Sequence, residues 1–282
     1  MGIFRDSSRI SLPERPGARQ NSSIGPRPDS HAGNTARSVL FHGCGGGAGA
    51  TFLAAESAAM LSASGRMVAA VDADRSSGGL HYRLDVPLTR DTFTISDLVP
   101  ILEDTTDHVI DNAFSNSPCG ARLLPASMEP SKAAPPGCGR ALLQALLPLF
   151  DTVIVDAPGA PDSYFLELVD SSDMAVLVVL PELQGLGRAR RMLDMILSRG
   201  NVGNVAIVVN RSLGAGDSLS VSDIEEFLKL PVTAILPEDM ERCRRAGDEG
   251  RFVYREGTAL GQGVRQMVRS VFSSTVSTAA KT

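Results

Sequence analysis

The chain has 282 residues, a formal net charge of −5 and an apolar fraction of 43%, which suits a globular α/β protein with a sizeable core and argues against a general nucleic-acid binder. Its four cysteines, Cys44, Cys119, Cys138 and Cys243, are widely spaced and form no C-x-x-C pair, so neither a disulfide framework nor a zinc site is expected, and a reduced, cytoplasmic setting is. No apolar run reaches the ~18 residues of a membrane-spanning helix, and the N-terminal stretch lacks the apolar core of a signal peptide.

Residues 1–37 are rich in Ser, Pro, Arg, Gly and Asn, and are expected to be a disordered, mildly basic arm, a solvated tail or a binding segment. From residue 38 the pattern changes. Apolar runs of β type appear at 38–42, 67–72, 121–126, 152–157, 174–180, 205–210 and 232–236. Helical stretches separate them at about 50–63, 137–149, 162–170, 184–199, 221–229, 239–247 and 258–272. Continuously apolar strands alternating with helices predict a mainly parallel sheet of seven or eight strands, covered by helices on both faces. The domain is expected to span 38–273, followed by a flexible tail at 274–282. Ligands of such sheets bind at the carboxyl ends of the strands, so the residues just after each strand are the candidates.

After the first strand comes "FHGCGGGAGATF", Phe41 to Phe52, a glycine-rich turn leading into a helix. That arrangement cradles phosphate with backbone amides and a helix N-terminus. The usual phosphate loop reads G-x-x-x-x-G-K-[ST]. With Thr51 at the final position, Cys44 stands at the first glycine and Ala50 at the lysine. Helix-end amides can lower a thiol pKa, but Cys44 is read as a small residue in a tight loop rather than a reactive one. The lysines, Lys132, Lys229 and Lys281, all lie far from the loop in sequence. Asp72 and Asp74 follow the second strand, and Asp156 closes the fourth in "VIVDAPG", the form of an acid that holds Mg²⁺. Asn210-Arg211 follow the sixth strand and Pro237 the seventh.

This set, in this order, resembles the ParA/MinD family of deviant Walker A P-loop ATPases over about residues 38–272. The resemblance implies nucleotide binding by Gly45, Gly46, Gly47, Ala48, Gly49, Ala50, Thr51 and Phe52, with Asn210, Arg211 and Pro237 around the base. It implies ATP or ADP with Mg²⁺ as cofactor, held by Thr51, Asp72 and Asp156, and Asp74 as the candidate for a catalytic role; Pro158 matches the family's D-x-P. Two positions depart from the family: its dimer-crossing lysine falls on Gly45 and its ordinary Walker lysine on Ala50. A G-G-x-G-[AS]-[ST] loop is similar to the CpaE/TadZ branch, which positions Tad (Flp) pilus machinery, and to CpaE-like septum-site proteins; "LLPASMEP" fits that branch too. The resemblance thus implies a homodimer, pilus or secretion assembly proteins as partners, no specific nucleic acid, and a place in the cytoplasm or at the inner face of the membrane.

Losing one charge-assisted hydrogen bond weakens binding by roughly ten- to a hundredfold, whereas cations acting on transition-state charge contribute about 10³–10⁵ in rate. The loop is therefore expected to keep weak nucleotide binding and to lose most hydrolysis, unless an arginine substitutes, Arg75 being the nearest in sequence. Other readings are an active ParA/MinD-like ATPase, a scaffold that binds no nucleotide, and a Rossmann-type dinucleotide-binding oxidoreductase, since Gly43-x-Gly45-x-x-Ala48 with Asp72 fits that fingerprint. The final helix carries Leu260, Val264, Met267, Val268 and Val271 on one side, for packing against the sheet or for lying on a membrane.

Overall fold

Strand β1 (Ser38–Gly43) runs through the interior of an eight-stranded sheet, buried along its length up to the final glycine. The other strands are β2 (Val68–Asp72), β3 (Ser115–Asn116), β4 (Arg122–Leu124), β5 (Thr152–Asp156), β6 (Met174–Val179), β7 (Val205–Ser212) and β8 (Val232–Pro237). In this computed structural model, which describes residues 38–74, 78–127, 138–157, 159, 161–199 and 205–273, their order is β3-β4-β2-β5-β1-β6-β7-β8. All neighbours are parallel except the short edge pair β3–β4. The 1–37 arm, the 274–282 tail, Arg75 and Pro158 lie outside the described residues.

The helices are α1 (Ala50–Ala63), α2 (Leu80–Arg83), α3 (Ile95–Leu98), α4 (Asp107–Asn112), α5 (Cys138–Leu146), α6 (Ser163–Ser171), α7 (Leu183–Leu197), α8 (Val221–Leu228), α9 (Met240–Asp248) and α10 (Ala259–Ser273). Alternation along β1 sends Val39 and Phe41 into one core with α1 and α10, and Leu40 into the other with α5, α6 and α7. Helices therefore cover both faces, as the continuously apolar strands require. The apolar stripe of α10, Leu260, Val264, Met267, Val268 and Val271, is buried against β8 and α1, so it packs on the sheet. Among the described residues no helix is long and apolar enough to cross a membrane.

Strand order also excludes the Rossmann reading. A dinucleotide fold sets its second strand directly beside its first; here β5 lies between β1 and β2, which brings the end of a third strand to the glycine-rich loop.

Helix α1 is buried almost all round and carries an acid inside the core. Glu56 is 2% exposed and accepts hydrogen bonds from the amides of Val253 (2.8 Å) and Tyr254 (2.9 Å). Burial pushes its carboxyl up to about 7, against the pull of those two amides and of Arg83. Glu56→Ala leaves both amides unpaired, while removing a costly buried acid; the expected net loss is about 1–3 kcal/mol, measured by urea unfolding.

Candidate nucleotide site

The loop between β1 and α1 is fastened at several points. Cys44 donates its amide to the Val178 carbonyl at 2.9 Å, and the Ala48 amide reaches the Gly45 carbonyl at 3.2 Å. The Asn210 side chain, from the end of β7, donates to the Ala48 carbonyl at 2.8 Å. Gly49 stands at the helix N-cap with φ 96°, a conformation that favours glycine, and a Cβ there would collide with the Asn210 amide. Gly49→Ala should therefore cost roughly 1–3 kcal/mol and displace the loop, read as a lower melting temperature and lost ligand binding.

Among the described residues the amides of Gly46 and Gly47 have no acceptor, and both residues are exposed. Helix α1 has no side-chain cap and no acid in its first turn. The first-turn amides of a helix lack intrahelical partners, and an anion is the group that satisfies them and the positive end of the helix.

The loop forms one wall of a cleft of about 780 Å³. Gly45, Gly46, Gly47, Ala48, Gly49, Ala50, Thr51, Phe52, Asn210, Arg211 and Pro237 all border it, so the predicted loop and the two distant strand ends meet at one place. Their individual states differ. Asn210 braces the loop, Arg211 is paired with Glu238 at 2.7 Å, and Phe52 is only 8% exposed, with the Arg83 guanidinium 5.5 Å from its ring centre. Lys229, the lysine within the described residues, ends α8 in a left-handed conformation and does not border the cleft. Burial pushes the Cys44 thiol up to about 12, so it stays protonated, as a residue filling space in a tight loop.

The acids sit behind Thr51 rather than in the cleft wall. Asp72 and Asp156 are side by side at the ends of β2 and β5, and both are 0% exposed. Asp72 accepts from the amides of Asp74 (3.2 Å) and Leu80 (3.0 Å), which holds the turn after β2; burial raises its pKa to about 6 despite those bonds. Asp156 has neither oxygen hydrogen-bonded among the described residues. Its pKa is raised to about 8 by burial and by Asp72, with Thr51 near enough to oppose the rise. A buried carboxylate without partners is costly, and a cation is what would satisfy it. Among the described residues there is no cluster of three or more His, Cys, Asp or Glu side chains able to hold a metal ion. Mg²⁺ needs none: it takes one or two carboxylates with waters and phosphate oxygens, and Thr51 and Asp156 supply oxygen donors of that kind.

Several neighbours carry no motif. His42, at the end of β1, has Nδ1 2.8 Å from the Ala157 carbonyl and rests on the Phe165 ring; burial lowers its pKa. Arg188 and Arg191 of α7 and Met240 of α9 also border the cleft. No sequence motif marks the arginines.

Fold and loop together define a domain of the P-loop NTPase fold. The chain belongs to the ParA/MinD-type P-loop ATPase superfamily. It is 30% identical over 196 residues to an ATP-binding protein of Methanocaldococcus jannaschii, covering 69% of this chain and 71% of that one. Its fold is similar to a ParA family ATPase from Chlorobium tepidum TLS, with TM-score 0.74 and 21% identity over 82% of this chain and 98% of that one. It is similar as well to the septum site-determining protein MinD of Pyrococcus horikoshii OT3 complexed with Mg-ADP, with TM-score 0.70 and 21% identity over 87% and 98%. No family model matches the chain.

Proposed function

We propose that this chain is a positioning or assembly factor of the CpaE/TadZ kind, only weakly sensitive to nucleotide, which binds Mg-ATP or Mg-ADP weakly, hydrolyses little, and recruits pilus or secretion components at the inner face of the membrane. The observation that carries the reading is a glycine-rich loop braced by Asn210, with the buried Asp156, whose oxygens have no hydrogen bond of normal length among the described residues, behind Thr51, while Gly45 and Ala50 stand at both lysine positions. Binding depends chiefly on amides and a divalent ion, which the chain retains; hydrolysis depends on cations at the transferring phosphate. The glycine-rich loop with alanine and threonine at its end supports the CpaE/TadZ branch. Any homodimer depends on apolar and backbone contacts more than on nucleotide, because Gly45 cannot supply a crossing lysine and a ligand shifts an equilibrium only by its differential affinity. The likeness to MinD favours a second reading, an ATPase that positions the septum.

Calorimetric titration with Mg-ATP and Mg-ADP, alongside phosphate release and light scattering, tests this. The expected result is a Kd in the micromolar range or weaker (about −8 kcal/mol or less favourable), phosphate release near background, and no change of mass on adding ATP. No heat and no thermal shift at millimolar nucleotide would favour a scaffold without ligand. A clean monomer-to-dimer transition with ready phosphate release would favour the septum-type ATPase.

A further inference from the structure

We infer that Arg188 is the phosphate-binding cation of this site, occupying the space that Gly45 leaves open. The inference rests on the reading of the cleft as a nucleotide site. It starts from how α7 is placed. A Cβ on Gly185 would lie 3.1 Å from the Leu180 carbonyl oxygen, so the first turn of α7 is close against the end of β6, the strand beside β1. One turn further, the helix passes the mouth of the loop. Arg188, Arg191, Met192 and Met195 share one face of α7 by their i, i+3, i+4 and i+7 spacing, and all four border the cleft.

Arg188 comes nearest to the loop. Its Nη1 is 3.4 Å from the position a Cβ on Gly45 would take. A longer side chain at 45 and the guanidinium as it stands would compete for the same space. Of the cleft's other arginines, Arg211 is held by Glu238, Arg83 donates to the Cys243 carbonyl at 3.1 Å while lying over Phe52, and Arg191 lies nearly one turn further along α7. Arg188 has no ion pair or hydrogen bond among the described residues. It is exposed, so it is free to swing onto an anion without breaking a bond, and a planar fork can grip a phosphate with two parallel hydrogen bonds. The ligand it selects is a nucleotide with at least two phosphates.

The test compares wild type with Arg188→Ala, Arg188→Lys and Arg188→Ala/Gly45→Lys, titrated with Mg-ATP, Mg-ADP, AMP and inorganic pyrophosphate. Arg188→Ala should weaken Mg-ATP and pyrophosphate by about ten- to a hundredfold and AMP by less than threefold. Arg188→Lys should fall between, and Gly45→Lys in the alanine background should restore about tenfold. Unchanged melting curves check that each substitution leaves the fold intact. If wild type binds Mg-ATP and Arg188→Ala binds it equally well, the inference is overturned and the nucleotide reading stands. If wild type binds pyrophosphate through Arg188 but no nucleotide, the cation's role stands and the nucleotide reading falls. Binding of neither ligand by wild type overturns both.

Discussion

Replacing Asp156 by asparagine should raise the melting temperature of the nucleotide-free protein at pH 8 and abolish the contribution of Mg²⁺ to ligand binding. Asp156 is fully buried, its oxygens lack hydrogen bonds among the described residues, and its pKa rises from 3.8 to about 8. Between those values the unfolded chain has released a proton that the folded chain still holds, so stability falls as pH rises across the window. Below about pH 4 both states are protonated and no cost remains. Asp72, at about 6, and Glu56, at about 7, add to the same trend. An amide carries no such cost, so Asp156→Asn should gain on the order of 2–4 kcal/mol at pH 8, a rise of roughly 5–10 °C for a domain of this size. The same change removes the anionic oxygen offered to Mg²⁺. Thermal melts at pH 5 and pH 8, with EDTA and with Mg-ADP, measure both effects. A variant that melts at or below the wild-type temperature at pH 8, with its Mg²⁺ response intact, would show that this carboxylate is neither strained nor a ligand.

Ala50→Lys should tighten Mg-ATP binding by roughly ten- to a hundredfold, the gain of one charge-assisted hydrogen bond. Ala50 is the first residue of α1 and is 5% exposed. A lysine there loses some packing before ligand arrives, so the free protein should melt slightly lower and the gain should appear only with ligand. It should be largest for ATP and small for AMP, because the new ammonium meets the terminal phosphates. Isothermal titration of the three nucleotides separates these cases. Equal affinity for all three in the folded variant would place the phosphates away from the loop.

The sheet was legible because fully buried parallel strands leave continuous apolar runs; β5 through β8 fall within a few residues of their predicted ends. The stretch between β2 and β4 was not read. It holds α2, α3, α4 and the two-residue β3, segments too short to show a period. One signal was available: Thr94 and Asp97 cap each other, with the Thr94 amide 2.9 Å from the Asp97 carboxylate, the spacing that opens a helix. In the site, the loop and the strand-end residues were legible as a motif with fixed spacing. Arg188 was not, because its relation to Gly45 is made by α7 passing over the loop, and an arginine within "GRARR" looks the same whether it faces solvent or a ligand. The orphaned state of Asp156 and the amide bonds of Asp72 depend on burial and register, which spacing does not report.

The hydrogen bond from Asn210 to Ala48 joins residues 162 positions apart and holds the loop from a different strand. A cradle tied in this way keeps its shape between one occupant and the next. A ligand that enters it would meet a loop already shaped, so less backbone would have to be ordered on binding than in an untied loop.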